Sequence, residues 1–407
     1  QLGSSAIFSG DSALAAKYAG EALETARTNH IESLAIRGIL ILGNSYRAKR
    51  DESSAEKYYQ EALVMARRNE SGRLVAVSML AVASLYDEQG RSEEAGREAQ
   101  EALAFFEPHH YAGDSLRCLA LLGRAQRNRG DPAAIVSFEH ALDLAQKLGD
   151  ASQIILAHAS MGSLLAEQER LPEALAHHQQ SLELSTNPRQ KGYAALACAE
   201  SLWPLGRYTE ADSMFSTAQA SAAKFPALRL AIAGSQAEML ASQRKFSDAA
   251  ALCTRTLAAS PEPATALKLT RVLGSAQTGL GQKTEGRRNC EAALSMAEKL
   301  GGVSPSLSAQ LAAAEARIAG GDAASALALL KQVEPSVASR PLSHWYALAL
   351  SARADPKNAH EYAAAARKQL DEIEHQWGKP AFHTYITRPD LRNWVELVSR
   401  LSLTNRQ

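Results

Sequence analysis

The 407-residue sequence predicts an all-α solenoid of stacked helical hairpins. Three observations carry that prediction. A motif, Leu-Gly-x-x-Tyr followed by a turn and then Ala-x-x-x-Tyr-x-x-Ala-Leu, returns about every 40 residues, and its clearest copy is Leu42, Gly43, Tyr46, Ala55, Tyr59, Ala62 and Leu63. Self-similarity at such a period marks stacked supersecondary units, each of which buries its apolar face only against its neighbours. Apolar residues recur at helical spacing, as with Leu63 and Ala66 and, one repeat later, Leu103 and Phe106, and strand-like alternation is absent. Composition agrees: the chain is rich in Ala and Leu, 46% hydrophobic and only 6% aromatic, which suits a narrow core strip shared between neighbours.

Laid along the chain, the motif puts a small residue on the first helix of each hairpin at Gly3, Gly43, Ala83, Gly123, Gly162, Ala199, Ala237, Gly274, Ala314 and, at a shorter spacing, Ala347. Its partner on the second helix falls at Ala15, Ala55, Ala95, Ala134, Ala174, Ala211, Ala249, Gly286, Ala326 and Ala359. The turn between the two helices carries Gly10, Gly90, Gly130, Gly206, Gly281 and Gly321, as a left-handed backbone position requires, while Arg50, Glu169 and Arg244 break that rule. Gly130-Asp131-Pro132 reads as turn, cap and first helical residue, and Pro172 serves the next repeat. Leu148-Gly149-Asp150 offers a glycine stop and an acidic cap between repeats, and Leu300-Gly301-Gly302 is a looser version.

These residues resemble the tetratricopeptide (TPR) family, with Ile39 where that family often has Trp. The repeat is longer than the usual TPR unit and resembles the long-repeat subclass found in polarity adaptors, kinesin light chains and the arms of large bacterial regulators. The resemblance implies a right-handed superhelical solenoid of about ten hairpins over residues 1–366, with capping helices over 367–407. Gln1-Leu2-Gly3 begins near the middle of a first helix, so the first hairpin is expected to be truncated and the chain to be an excised fragment. The tail, from Gln376-Trp377-Gly378 through Phe382, Tyr385 and Arg388-Pro389-Asp390-Leu391 to Trp394, resembles the end of bacterial multidomain signalling proteins in which a kinase or ATPase precedes the repeats. In it, Thr387-Arg388-Pro389-Asp390 is expected to start the last helix as a capping box.

Several function classes drop out. With 44 basic and 44 acidic residues the chain lacks the basic excess of a nucleic-acid-binding domain. No apolar run approaches the roughly 20 residues that cross a bilayer, and no signal peptide is visible, so a cytoplasmic protein without membrane insertion is expected. Cys118, Cys198, Cys253 and Cys290 are scattered and read as small buried hydrophobes; Cys253 and Cys290 occupy equivalent places on adjacent hairpins, too far apart for a bridge. No Cys-x-x-Cys or His-Glu-x-x-His spacing occurs, and His109-His110 and His177-His178 are side by side, where they cannot both point at one ion, so no metal or cofactor is expected. The stretch Gly274 to Thr284 looks like a phosphate-binding loop, but Gln282 precedes Lys283 where that loop needs glycine, and a helical run rather than a strand comes before it. Carboxylates are plentiful and sit mostly on solvent faces, so no catalytic pair can be singled out, and the fragment is expected not to be an enzyme.

Recognition remains. The TPR resemblance implies that first helices line a concave groove, with side chains at minus 6, minus 3, plus 1, plus 4 and plus 5 from the small residue facing inward. Applied here, that selects Arg37, Asn44 and Arg47, then Asp87 and Glu88, then Arg117, Arg124, Arg127 and Asn128. Five arginines would share one stretch of groove, and their planar donor forks suit carboxylates, which points to an acidic peptide segment. The alternative is that they pair with Asp87, Glu88 and other nearby acids. Farther along, Tyr193, Glu200 and Trp203 form an aromatic anchor, followed by Lys268 and Arg271, unless Trp203 packs under the Pro204 turn. The Lys and Asn positions of the TPR clamp for chaperone C-termini hold Leu40 and Ala81, and no Asn ladder recurs. The sequence thus predicts a non-catalytic scaffold for protein–protein interaction. A regulatory or sensor arm of a signalling enzyme whose catalytic domain lies upstream stands as the alternative, and a small-molecule or peptide-pheromone receptor as a third reading.

Overall fold

A computed structural model describes residues 12–301 and 303–403. Among the described residues there are 21 helices and no strand, and 83% of those residues are helical. Gly3, Gly10 and Gly302 lie outside the described residues. In chain order the helices are α1 Ser12–Thr28, α2 Glu32–Ala48, α3 Glu52–Arg68, α4 Gly72–Glu88, α5 Ser92–Phe106, α6 Ala112–Asn128, α7 Ala134–Leu148 and α8 Ala151–Glu167. There follow α9 Leu171–Leu184, α10 Pro188–Leu202, α11 Tyr208–Ser221, α12 Pro226–Ser242, α13 Phe246–Leu257, α14 Pro263–Gly279, α15 Lys283–Leu300, α16 Val303–Ala319, α17 Ala323–Val337 and α18 Pro341–Ala354. The tail forms α19 Ala359–Trp377, α20 Lys379–Ile386 and α21 Arg392–Leu403. The chain divides into two compact units, Gln1–Ser160 and Met161–Gln407.

Each hairpin closes at the small residue of its first helix. A methyl group on Gly43 would lie 2.5 Å from the Tyr59 ring, and one on Gly123 2.7 Å from the Phe138 ring. Gly162 faces the His178 ring in the same way, and Gly274 faces Cys290 and the Gly286 backbone. The second-helix side chain that covers the small residue stands one turn after the second helix's own small residue, as Tyr59 follows Ala55 and Phe138 follows Ala134. Both Ala55 and Ala134 are fully buried. The backbones therefore approach where one helix supplies a ring and the other supplies nothing.

The turns between helices follow one conformation whatever residue occupies them. Gly90, Gly130, Gly206, Gly281 and Gly321 have φ of 71 to 87°, and the three exceptions, Arg50, Glu169 and Arg244, have φ of 60, 62 and 60°. The same closing bond forms in both groups: Arg91 N–H donates to Tyr86 O at 2.8 Å, and Asp51, Arg170 and Lys245 donate to Tyr46, Leu165 and Leu240 at 2.9 to 3.0 Å. A left-handed non-glycine costs about 1–2 kcal/mol, so the pull of the hairpin's packing exceeds that penalty. One helix start matches the sequence reading, since Asp150 caps α8 by accepting from Gln153 N–H at 3.1 Å, but two shift: Asp131 accepts from Ala133 N–H at 2.9 Å in a turn that holds Pro132 outside α7, which begins at Ala134, and Pro172 is the second residue of α9, not the first.

Curvature follows from which helices touch. Within the first unit α2 packs on α4 and α4 on α6, and within the second α10, α12, α14, α16 and α18 pack in succession. The second helices instead approach the first helices on either side of them. First helices therefore line the inner face of each unit, as the register requires.

The tail departs from one expectation. The last helix begins at Arg392, not at Thr387, whose hydroxyl donates to His383 O at 2.8 Å and so finishes α20. Residues 388–391 form a turn used for a contact elsewhere in the second unit. The helix α19 runs without interruption through residue 366.

Two sets of variants check this packing. Gly123→Ala should destabilise by about 1–3 kcal/mol and Ala174→Leu by at least as much, whereas Gly20→Ala, where nothing lies within 4 Å, should stabilise by about 0.5–1 kcal/mol in urea melts. His178 supplies a pH signature. Burial pushes its imidazole down to about 4, and its Nδ1 shares a hydrogen bond with Ser201 Oγ at 2.9 Å while its Nε2 has no partner among the described residues. The unfolded chain takes up this proton near pH 6.5 and the folded chain only near pH 4, so stability is full above 6.5 and is lost as pH falls toward 4. Relative to His178→Phe, the wild type should lose about 3 kcal/mol across that window, read as urea midpoints at matched pH.

Candidate protein-binding site

In the first unit the inner face is built from α2, α4 and α6. Arg47 on α2 and Arg124 on α6 reach neighbouring carboxylates at the end of α4: Arg47 Nε lies 3.8 Å from Glu88, and Arg124 Nη2 lies 2.8 Å from Asp87. Two helices that flank α4 thus converge on one spot, and Arg47, Asp87, Glu88 and Arg124 share a surface. Tyr59 sits beneath it, its hydroxyl donating to Asn44 Oδ1 at 2.6 Å. Burial pushes that hydroxyl up to about 12, with the nearby charges of Arg47, Glu88 and Arg117 modulating it.

The predicted arginines differ in how engaged they are. Arg124 holds Asp87 through Nε at 3.0 Å as well as Nη2, and Asp87 is largely buried, so this pair is a bolt between adjacent repeats. Arg117 reaches Asp114 on its own helix only at 3.6 Å and is mostly exposed. Arg127 is engaged by neighbouring groups. Arg37 is exposed and makes no ion pair or hydrogen bond among the described residues. Asn128 donates to Ser92 Oγ at 3.2 Å.

In the second unit the inner face carries a tighter network. Lys268 on α14 donates to Glu200 on α10 at 2.8 Å and to Ser235 on α12 at 3.1 Å, and lies 3.4 Å from Glu238 on α12. Arg271 pairs with the other oxygen of Glu238. Burial works against the Glu200 carboxylate, but the Lys268 ammonium and the hydrogen bonds from Lys268 and Ser235 hold it below the usual range. Lys268 is correspondingly held above its own range by Glu200 and Glu238, against burial. Three successive first helices are stitched by four alternating charges, so Lys268 and Arg271 already have carboxylate partners. Tyr193 on α10 is 42% exposed. Trp203 lies under the Arg388 guanidinium at 5.4 Å, and Arg388 also donates to Pro204 O at 2.8 Å.

Four residues of the second unit, Glu238, Glu315, Glu169 and Arg388, make contacts that the sequence reading did not foresee. Glu238 and Glu315 stand at plus 1 from Ala237 and Ala314, the position that also holds Asn44, Arg124 and Glu200, so the register contained the signal. Glu315 accepts from the Tyr346 hydroxyl at 2.8 Å, and burial raises both groups. Glu169 and Arg388 had no sequence signal as contacts, because their partners are more than 170 residues away. A cavity of about 1200 Å³ opens on this face, with Trp203, Arg271, Glu315, Tyr346 and Trp394 in its wall. The loop-like stretch Gly274 to Thr284 is the end of α14, a left-handed turn at Gly281 and the start of α15.

Solved structures share this architecture. The apo form of the quorum sensor NprR from B. thuringiensis aligns with a TM-score of 0.58 at 14% identity, over 71% of this chain and 84% of that one. A Rap protein complexed with competence and sporulation factor aligns at 0.51 and 12% identity, over 81% and 99%. A human IFIT1 dimer with PPP-AAAA aligns at 0.50 and 14% identity, over 89% and 90%. The chain has the fold of a TPR-like helical solenoid. At these identities the likeness is one of fold. No family model matches the TPR-like chain, and no curated protein matches it in sequence. Among the described residues no helix is long and apolar enough to cross a membrane.

The charge ladder of this TPR-like face makes a stability prediction. Lys268→Met leaves Glu200 and Glu238 without their shared cation and should cost about 1–3 kcal/mol in urea melts. Adding Glu200→Gln should return part of that loss, and strict additivity of the two substitutions would show that the pair is not coupled.

Proposed function

We propose that the chain is a non-catalytic TPR-like scaffold whose inner faces bind a protein segment, and that on the first unit this segment is acidic. The supporting observation is the uneven engagement of its arginines. Arg37 is unengaged among the described residues, and Arg47 and Arg117 meet carboxylates only at 3.8 and 3.6 Å, over half or more exposed on one side of each pair. Exposed pairs of that length are worth about 0–1 kcal/mol, so an incoming carboxylate can replace them at little cost. Arg124 belongs to the scaffold, because separating it from Asp87 would leave a largely buried carboxylate alone. The second unit offers no comparable set among Lys268 and Arg271, whose charges are matched. Binding of a segment by this fold has a precedent in the Rap protein solved with competence and sporulation factor.

The test is charge reversal. Arg37→Glu with Arg117→Glu should weaken binding of a fluorescein-labelled Glu-rich peptide by about tenfold or more at low salt, and the wild-type affinity should fall steeply as salt is raised. Arg67→Glu with Arg68→Glu, on the outer helix α3, should have a far smaller effect. Equal effects of the two pairs would mean that the peptide reads net charge and not the inner face.

A further inference from the structure

The second unit's tail turns back to the unit's beginning. Helices α20 and α21 pack with α18 and α19 around Trp345, Leu370, Phe382, Tyr385, Leu391 and Val398, and Trp345 Nε1 donates to the Tyr385 hydroxyl at 2.8 Å. This block is one apolar body. It meets the opening hairpins of the unit mainly through polar groups on turns. Glu169, in the left-handed turn before α9, accepts from Leu342 N–H at 2.6 Å, from Ser343 N–H at 3.0 Å and from the Ser343 hydroxyl, and so caps α18, whose own N-cap residue Arg340 makes no side-chain cap. Arg388, only 8% exposed, is held by Asp390 at 2.6 Å, donates to Pro204 O at 2.8 Å and covers Trp203. Asp390 N–H donates to Ser242 O at 3.1 Å, at the end of α12.

This seam differs from every hairpin interface in the stack. No helix of the tail runs along α9 to α12, whereas neighbouring helices of the repeats pack along their lengths. The apolar contribution includes Leu342 and Trp377, which touch the cluster of the opening hairpins, and the turn at Gly206 lies close against Thr384 of α20. A void of about 260 Å³ remains in the seam between Pro172, Leu205, Ala381 and Thr384. Polar contacts at a poorly filled seam are the part of a fold that opens first, since few apolar atoms are exposed by opening.

We propose that the C-terminal block is a clasp: α18 to α21 close the second unit over its inner face and part from Glu169, Pro204 and Ser242 as one body, controlling access to the 1200 Å³ cavity. Only the purpose of that access rests on the scaffold reading above. The clasp itself is tested on the protein alone.

The amides of Leu342, Ser343 and Asp390 report the seam, because each has its acceptor on the other side of it. Residue-resolved hydrogen exchange on the wild-type chain should give the three one common protection factor, well below that of amides in the middle of α14. Arg388→Ala should speed exchange about tenfold or more at all three, although Arg388 makes no hydrogen bond to Leu342 or Ser343, and should leave α14 unchanged. Glu169→Ala should do the same at Asp390, which it does not touch. If each variant speeds only its own contact, or if the three wild-type amides have unrelated protection, the block does not move as one body and the clasp is wrong. Equal acceleration in α14 would mean global unfolding and would overturn it too.

Discussion

Everything in this fold depends on the close approach of two helices at one residue per hairpin. Where Gly43, Gly123 and Gly162 meet the rings of Tyr59, Phe138 and His178, the first helix contributes only backbone, and the distance between helices is set by the thickness of a ring. That distance fixes the hairpin's angle, which in turn fixes how the next hairpin can stack. The penalty accepted elsewhere shows how strongly it acts: Arg50, Glu169 and Arg244 are driven into a left-handed turn that suits glycine, and the closing hydrogen bond forms all the same.

Stacking brings the first helices together on the inner face, and their polar side chains must find partners there. The answer in both units is a carboxylate and a cation on adjacent helices, Asp87 with Arg124 in the first and Glu200, Glu238, Lys268 and Arg271 in the second. These pairs are partly buried, so breaking one is far costlier than the pair's net contribution to stability. They also sort the face by function. A cation held by a buried carboxylate is part of the wall, and on the function proposed above a cation held loosely or by nothing, such as Arg37, is the kind a ligand would use.

The second unit adds a level that the repeat alone does not require. Its terminal helices are joined to α18 and α19 by a continuous apolar cluster and to the opening hairpins by Glu169, Arg388 and Asp390. The free energies of those two contacts differ in kind. Apolar burial holds along the whole area and yields only with the unit, whereas a handful of hydrogen bonds can exchange for water together. A residue that breaks the glycine rule, Glu169, is thus also a residue that joins the ends of the unit.

The sequence by itself determined the helical hairpins, their register and the small residues that let them close, because these features are local: a turn, a cap and a side-chain size recur at fixed spacing and are legible in each copy. Which face is inner came from the TPR resemblance, and once it is applied the plus 1 position marks Glu238 and Glu315 as clearly as Asn44 and Arg124. The tertiary structure alone decided which inner charges are free. Whether Lys268 meets Glu200, 68 residues away, depends on how three hairpins stack, and no spacing rule within one repeat encodes that. The same holds for the tail, where a capping box at Thr387 was the local reading and a buried Arg388 bound to the Pro204 carbonyl was the outcome. Local chemistry allowed a helix to start at Thr387, but the 388–391 turn is engaged by residues that only the curvature of the whole unit brings near.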